Sequence, residues 1–185
     1  MKEVIIRKAT KDDVALIALV VAMAIGEDTA ILYGGENYID VFEEIALQED
    51  SQYSYHNAFV AEIDGDAVGA VIGYDGAKLY QLREVTLEVI SKRTEKQMVL
   101  SDETDATEFY LDSIAVLPEY RGLGVGAKLI LAMKERAFNE YEKNLGLLVD
   151  FENPQAERLY RSLGFERAGL KVFLGHDMWH LVMTK

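Results

Sequence analysis

Apolar and polar positions follow two rhythms along the chain. Residues 3–9, EVIIRKA, form a short apolar-rich run of strand length. The run VALIALVVAMAI at 14–25 is continuous, which suits a buried helix and falls short of the ~20 residues that span a bilayer. Its Ala-Met-Ala resembles a signal-peptide cleavage site, but Asp12 and Asp13 put negative charge where such a peptide carries positive. Thr10 or Asp12 is instead suited to cap a helix start. At 37–50, NYIDVFEEIALQED places Ile39, Phe42, Ile45 and Ala46 on one helical face with acids opposite. The intervening GEDTAILYGGE reads as a glycine-punctuated loop.

The second rhythm begins at AFVAEIDGDAVGAVIGY, 58–74, where two apolar runs meet around Asp64-Gly65-Asp66 and predict a hairpin. Residues 77–92 return to helical spacing through Leu79, Leu82, Val85 and Val89. The polar stretch 91–108 reads as a connection or mobile flap. A strand at 109–117 is stopped by Pro118, and a helix over 122–141 buries Ile130, Met133 and Ala137. Another strand, 145–150, precedes a helix with Asn153 as N-cap, Pro154 at its first position and Gly164 past its end. Residues 165–184 suit two strands around LGHD. This order, with no repeat or linker, predicts one α/β domain with a mixed sheet over residues 1–185.

Composition narrows the chemistry. Half of the 185 residues are hydrophobic and 28% are charged, a globular balance. The formal net charge of −13 argues against a nucleic-acid partner and is compatible with a cationic substrate. No membrane segment is expected. With no cysteine there is no disulfide and no thiolate nucleophile. Three histidines without HExxH spacing give no metal site. A reducing, cytoplasmic setting fits this usage without being demanded by it.

The densest chemical signal is YRGLGVGAKL at 120–129. A strand–glycine turn–helix unit aims unpaired backbone N–H groups at one point, and glycine lets an anion approach them. Lys128 follows Ala127 and precedes Leu129, so the Walker A pattern fails; Gly122, Gly124 and Gly126 give G-x-G-x-G, so the dinucleotide fingerprint fails too. Arg121, Gly124 and Gly126 do satisfy R-x-x-G-x-[GA]. LDSIAVLPEYRGLGVGAKLI, followed by NPQAERLYRSLGF, closely resembles the two motifs of the GNAT superfamily of N-acetyltransferases. The resemblance is strongest over 109–165, whereas 75–108 is longer than that family usually has.

The resemblance implies a GNAT-like, mostly antiparallel sheet flanked by helices, with acetyl-CoA as acyl donor. It assigns the CoA pyrophosphate to the amides of Arg121, Gly122, Leu123, Gly124, Val125, Gly126 and Ala127. The pantetheine arm would pair with backbone near Ile114 and Val116, the acetyl pocket would open between strands 109–117 and 145–150, and Asn153 would touch the arm. Tyr160 matches the general acid for the CoA sulfur; the alternative is a ring packed with Ala156 and Leu163. For the base, period-two alternation without a bulge puts Glu108, Tyr110, Asp112, Ile114 and Val116 on one strand face. YLDSIAV resembles the YLED stretch of spermidine/spermine acetyltransferases, whose acid Asp112 matches. Burial beside apolar neighbours would raise its pKa. Glu108 is second choice, and a strand-end acid bonded to a loop amide is the plain alternative for Asp112. By the same resemblance the acceptor pocket draws on 26–36, with Tyr33, Glu36 and Asn37, and on His176 and Trp179. A small cationic amine is the preferred acceptor; a peptide N-terminus or lysine, and a non-catalytic acyl-CoA-binding domain, remain alternatives. A homodimer is left open.

Overall fold

In the computed structural model, which describes residues 3–185, seven strands form one sheet in the order β1-β2-β3-β4-β5-β7-β6. The strands are β1 (Val4–Lys8), β2 (Ala58–Ile63), β3 (Asp66–Asp75), β4 (Glu108–Val116), β5 (Asn144–Asp150), β6 (Glu166–Phe173) and β7 (His176–Met183). Every neighbouring pair is antiparallel except β4 and β5. Helices α1 (Val14–Ile25), α2 (Glu27–Gly34), α3 (Tyr38–Leu47) and α4 (Leu79–Thr94) share a core with Ala58, Val60, Ala70 and Ile72. On the other face, α5 (Val125–Glu135) and α6 (Pro154–Ser162) pack over Phe109, Leu111, Leu145 and Leu147. Fully buried side chains such as Ile17, Phe42, Phe109 and Ile130 each contribute about 1.5–3 kcal/mol of hydrophobic stabilisation.

Local chemistry sets most boundaries. Thr10 rather than Asp12 is the first cap: its Oγ1 accepts from the Asp12 N–H, while Asp13 reaches back to the Thr10 N–H. Asp64 and Gly65 both take positive φ, 55° and 90°, which closes the β2–β3 hairpin as its Asp-Gly sequence predicts. Asn153 caps α6 through Oδ1, 3.1 Å from the Ala156 nitrogen, and Gly164 ends it at φ 105°. Among the described residues no single helix is long and apolar enough to cross a membrane.

Three expectations are corrected. The stretch read as a loop at 26–36 is largely α2, whose Ala30 and Tyr33 are buried against α1 and α3; these apolar contacts outweigh the flanking glycines. The helix expected from 122 starts at Val125, because Gly122 and Gly124 sit at φ 78° and 77°, outside helical space. Its last stretch, Arg136–Glu140, widens into a π turn, where the Arg136 guanidinium lies over the rings of Phe59, Phe109 and Tyr141. The third concerns 91–108, expected to be a connection or mobile flap: 91–94 complete α4 and Glu108 opens β4, which leaves 95–107. It has no regular structure, but it is pinned: Glu103 and Thr104 are buried, and the Asp105 carbonyl lies where only Gly76, lacking a Cβ, leaves room.

Candidate active site

Strands β4 and β5 pair only at Glu108, Phe109 and Tyr110, opposite Asn144, Leu145 and Gly146. Beyond that point β4 continues along β3 as far as Val116, and β5 continues along β7 as far as Asp150. The inner edges of the two strands separate and open the sheet. A cavity of about 350 Å³ fills the split, bounded by Tyr110, Leu111, Asp112 and Ile114 of β4, Leu147–Asp150 of β5, the C-terminal end of α1, and α6.

The alternation along β4 is interrupted. Ser113 pairs with Ile72 and Leu111 with Gly73, so Asp112 is the extra residue of a β-bulge. The expected single face of Glu108, Tyr110, Asp112, Ile114 and Val116 is therefore divided. Ile114 and Val116 pack with Phe109 and Leu111 toward α5, whereas Tyr110 packs with Tyr74 on the opposite side. Asp112 stays with Tyr110: its Oδ2 lies 3.3 Å from Tyr74 Oη, and its Oδ1 accepts from Ser113 Oγ at 2.8 Å. Loss of water on burial, followed by the nearby Glu103 charge, raises its pKa from 3.8 to about 7. The alternative of an acid bonded to a loop amide does not describe it. Glu108 is committed elsewhere, accepting from Thr104 Oγ1 at 2.8 Å and meeting His180 Nε2 at 2.9 Å against Gly146.

Tyr160, on α6, lines the same cavity as Asp112. Its ring packs edge-on to Phe165 with centroids 5.8 Å apart and joins the cluster containing Ala156 and Leu163. The packing alternative is thus true of the ring, while the hydroxyl has no hydrogen-bond partner among the described residues. Burial pushes its pKa up to about 12, so it holds its proton at neutral pH.

The glycine loop forms a separate groove of about 310 Å³ lined by Val116, Arg121, Gly122, Gly124, Gly126 and Ala127, among others. The Arg121 amide, expected among the phosphate donors, is instead bonded to the Pro118 carbonyl at 3.3 Å, and the next amide with a backbone acceptor is that of Lys128, on the Gly124 carbonyl at 3.2 Å. The amides of 122–127 between them have none among the described residues. A Cβ built on Gly122 or Gly124 would meet no atom within 4 Å and would project into open space beside those amides. Free donors, a helix N-terminus and the absence of side-chain bulk fit the phosphates of CoA. Arg121 is exposed, with Nε on the Val116 carbonyl at 3.1 Å; Val125 is buried and supplies only backbone. Leu123 is 53% exposed and outside the groove lining, so it too offers only its amide. Asn153 lines the cavity, but Oδ1 serves the α6 cap, leaving the Nδ2 donor.

Of the acceptor-side residues expected, Tyr33 and His176 line the cavity, the latter through an Asp150 contact of 2.9 Å. Glu36 and Asn37 are exposed on a turn outside it, and Trp179 stacks on Phe151 beneath Arg167. Five residues were not foreseen: Gln52, Tyr53, Tyr74, Arg83 and Glu103. Glu103 accepts from Gln52 Nε2 and Tyr74 Oη, both at 2.8 Å, and from Arg83 Nη2. Arg83 carried a legible signal. It falls on the same α4 face as Leu79, Leu82, Val89 and Ile90, and a cation on an apolar face requires a buried counter-ion.

The sequence profile of the Acetyltransferase (GNAT) family matches residues 27–165, and the chain belongs to that family. A solved acetyltransferase of 33% identity superposes with a TM-score of 0.82, covering 97% of this chain and 98% of its own. An N-acetyltransferase from Staphylococcus aureus Mu50 does so at 25% identity and TM-score 0.82, covering 97% and 100%. Thialysine N-epsilon-acetyltransferase from Mus musculus is 42% identical over 55 residues, 30% of this chain and 32% of that protein. The matched stretch thus spans about a third of that curated relative's length.

Proposed function

We propose that the protein transfers the acetyl group of acetyl-CoA directly to a primary amine of a small, cationic acceptor. One observation carries this reading: Asp112 and Tyr160 face a single cavity at the β4–β5 split, and its walls join the Asp112 and Glu103 carboxylates to tyrosine hydroxyls. Tyr33, Tyr53 and Tyr110 are each at most 5% exposed, and their hydroxyls have no hydrogen-bond partner among the described residues. Hydroxyls and carboxylates lining a cavity in this way suit an ammonium ligand, and the volume suits a small molecule. Acetyl-CoA would supply the acyl group as a thioester. The amides of 122–127 hold its phosphates, and the unpaired edge of β4 at Ile114 and Val116 receives its arm. Asp112 takes a proton from the acceptor ammonium, freeing the amine to attack. Tyr160 gives its proton to the departing sulfur and is reprotonated by the second N–H proton that the attacking nitrogen loses, so amide, CoA thiol and the one proton on Asp112 are the products. The thialysine N-epsilon-acetyltransferase match supports an amine acceptor.

The test is a turnover screen with acetyl-CoA over polyamines, aminoglycosides, amino acids and peptides, following thiol release. Turnover on small cationic amines above that on peptides is expected. A preference for peptides would overturn the acceptor class, and activity on none would favour a non-catalytic acyl-CoA-binding domain.

A further inference from the structure

The segment 95–107 brings a second carboxylate against Asp112, and the hydrogen bonds around it are selective. Tyr74 Oη lies 2.8 Å from Glu103 Oε1 and 3.3 Å from Asp112 Oδ2. A phenol has one proton and can donate to only one of these oxygens. Gln52 Nε2 approaches both Tyr74 Oη, at 3.0 Å, and Glu103 Oε1, at 2.8 Å, donating one N–H to each. Arg83 Nη2 donates to Glu103 Oε2, and Lys171 Nζ donates to the Glu103 carbonyl at 3.0 Å. Every group bonded to the Glu103 carboxylate is a donor, and the shorter contact gives it the Tyr74 proton.

We infer that Glu103 is a positioning residue for the acetyl transfer: by holding the single Tyr74 proton it leaves Asp112 Oδ2 free to accept a proton from the acceptor ammonium. Tyr74 then presents a lone pair, not a proton, to Asp112. That lone pair receives the proton that Asp112 takes up, so the bulge residue is stabilised in its loaded form. The proton balance is simple: one N–H bond of the ammonium breaks, one O–H bond forms on Asp112, and that proton leaves to solvent before the next turnover. The groups facing Asp112 are Glu103 from the segment, Arg83 from α4, Gln52 and Tyr53 from the stretch after α3, Tyr33 from α2, Tyr74 from β3, Tyr110 and Ser113 from β4, and Tyr160 from α6. Asp150 of β5 and His176 of β7 line the same cavity, and Glu103 is the anion whose charge opposes ionisation of Asp112.

This inference rests on the proposed amine acetylation, so the wild-type protein must first turn over an amine; failure there refutes that reading and not this one. The experiment is the pH profile of kcat/KM. In Glu103→Gln the acidic limb should move down by about one pH unit, because a like charge beside Asp112 is gone, while the plateau persists at high pH. A limb that stays in place in the folded variant overturns the inference, since a purely structural loss lowers the curve without moving it. Tyr74→Phe, which keeps the Glu103–Arg83 pair, decides the matter if Glu103→Gln does not fold. Removing the lone pair that receives the Asp112 proton should lower the limb. An unmoved or raised limb would mean that Tyr74 does not act on Asp112 as inferred, and would overturn it.

Discussion

Replacing Asp112 by asparagine should remove the proposed base and yet make the folded protein more stable, with a gain that depends on pH. The folded structure raises the Asp112 pKa from 3.8 to about 7, so the native state binds the proton more tightly than the unfolded chain. Stability is then greatest below the unfolded value, falls as pH rises from about 4 to about 7, and stays low above that. At about 1.36 kcal/mol per pH unit, charging Asp112 costs the folded state about 4 kcal/mol at pH 8 and under about 2 kcal/mol at pH 5. Asparagine has no such charge. Its Nδ2 can donate to Tyr74 Oη, and its Oδ1 can accept from Ser113 Oγ. The stability gain of Asp112→Asn should therefore grow by about 3 kcal/mol between pH 5 and pH 8. For a chain of this length that is roughly 6–12 °C in Tm. Thermal unfolding of both proteins in matched buffers at the two pH values measures it. A gain that does not change with pH, or a loss at pH 8, would refute the charge-burial argument.

Other outcomes follow from the same geometry. Tyr160→Phe keeps the ring packed on Phe165 and should lower turnover far more than acetyl-CoA affinity; equal losses in kinetics and in calorimetric binding would make Tyr160 a binding residue. Gly124→Ala forces a Cβ into a left-handed backbone, costing about 1–2 kcal/mol, and fills the space beside the free amides. The variant should fold but lose most of the acetyl-CoA-induced rise in Tm; an undiminished rise would place the phosphates elsewhere. Arg83→Met leaves the buried Glu103 without its cation and should cost about 3–5 kcal/mol in denaturant unfolding, with a loss under about 1 kcal/mol counting against a buried pair. On the acid side, wild-type kcat/KM should rise with pH through about 7, the pKa of Asp112.

The parts of the molecule legible in the sequence are those governed by local rules. The Asp64-Gly65 hairpin, the Asn153 cap and the Gly164 stop depend on a few adjacent residues, and they stand where those residues put them. The glycines at 122 and 124 marked a turn before a helix but not where the helix starts, since helical periodicity runs through them while their φ angles lie outside helical space. What stayed hidden depends on contacts distant in sequence. The bulge at Asp112 arises from the register between β3 and β4, which no pattern within β4 encodes. Glu103 sits in a stretch whose polar composition reads as solvent-exposed; it is buried because Arg83, 20 positions away on another element, supplies its counter-charge. Helix α2 was obscured by Gly26 and Gly35, which flank it, and by Gly34, its last residue; they mark its ends rather than a loop.

The most direct measurement of the central claim is a stoichiometric one. The protein, acetyl-CoA and a mixture of small cationic amines are incubated together, N-acetyl product and free CoA are quantified, and the protein is weighed intact by mass spectrometry. Direct transfer predicts equal amounts of N-acetylated amine and free CoA, with no acetyl group on the protein. Absence of N-acetylated amine, or acetyl retained on the protein as a step of turnover, would contradict it.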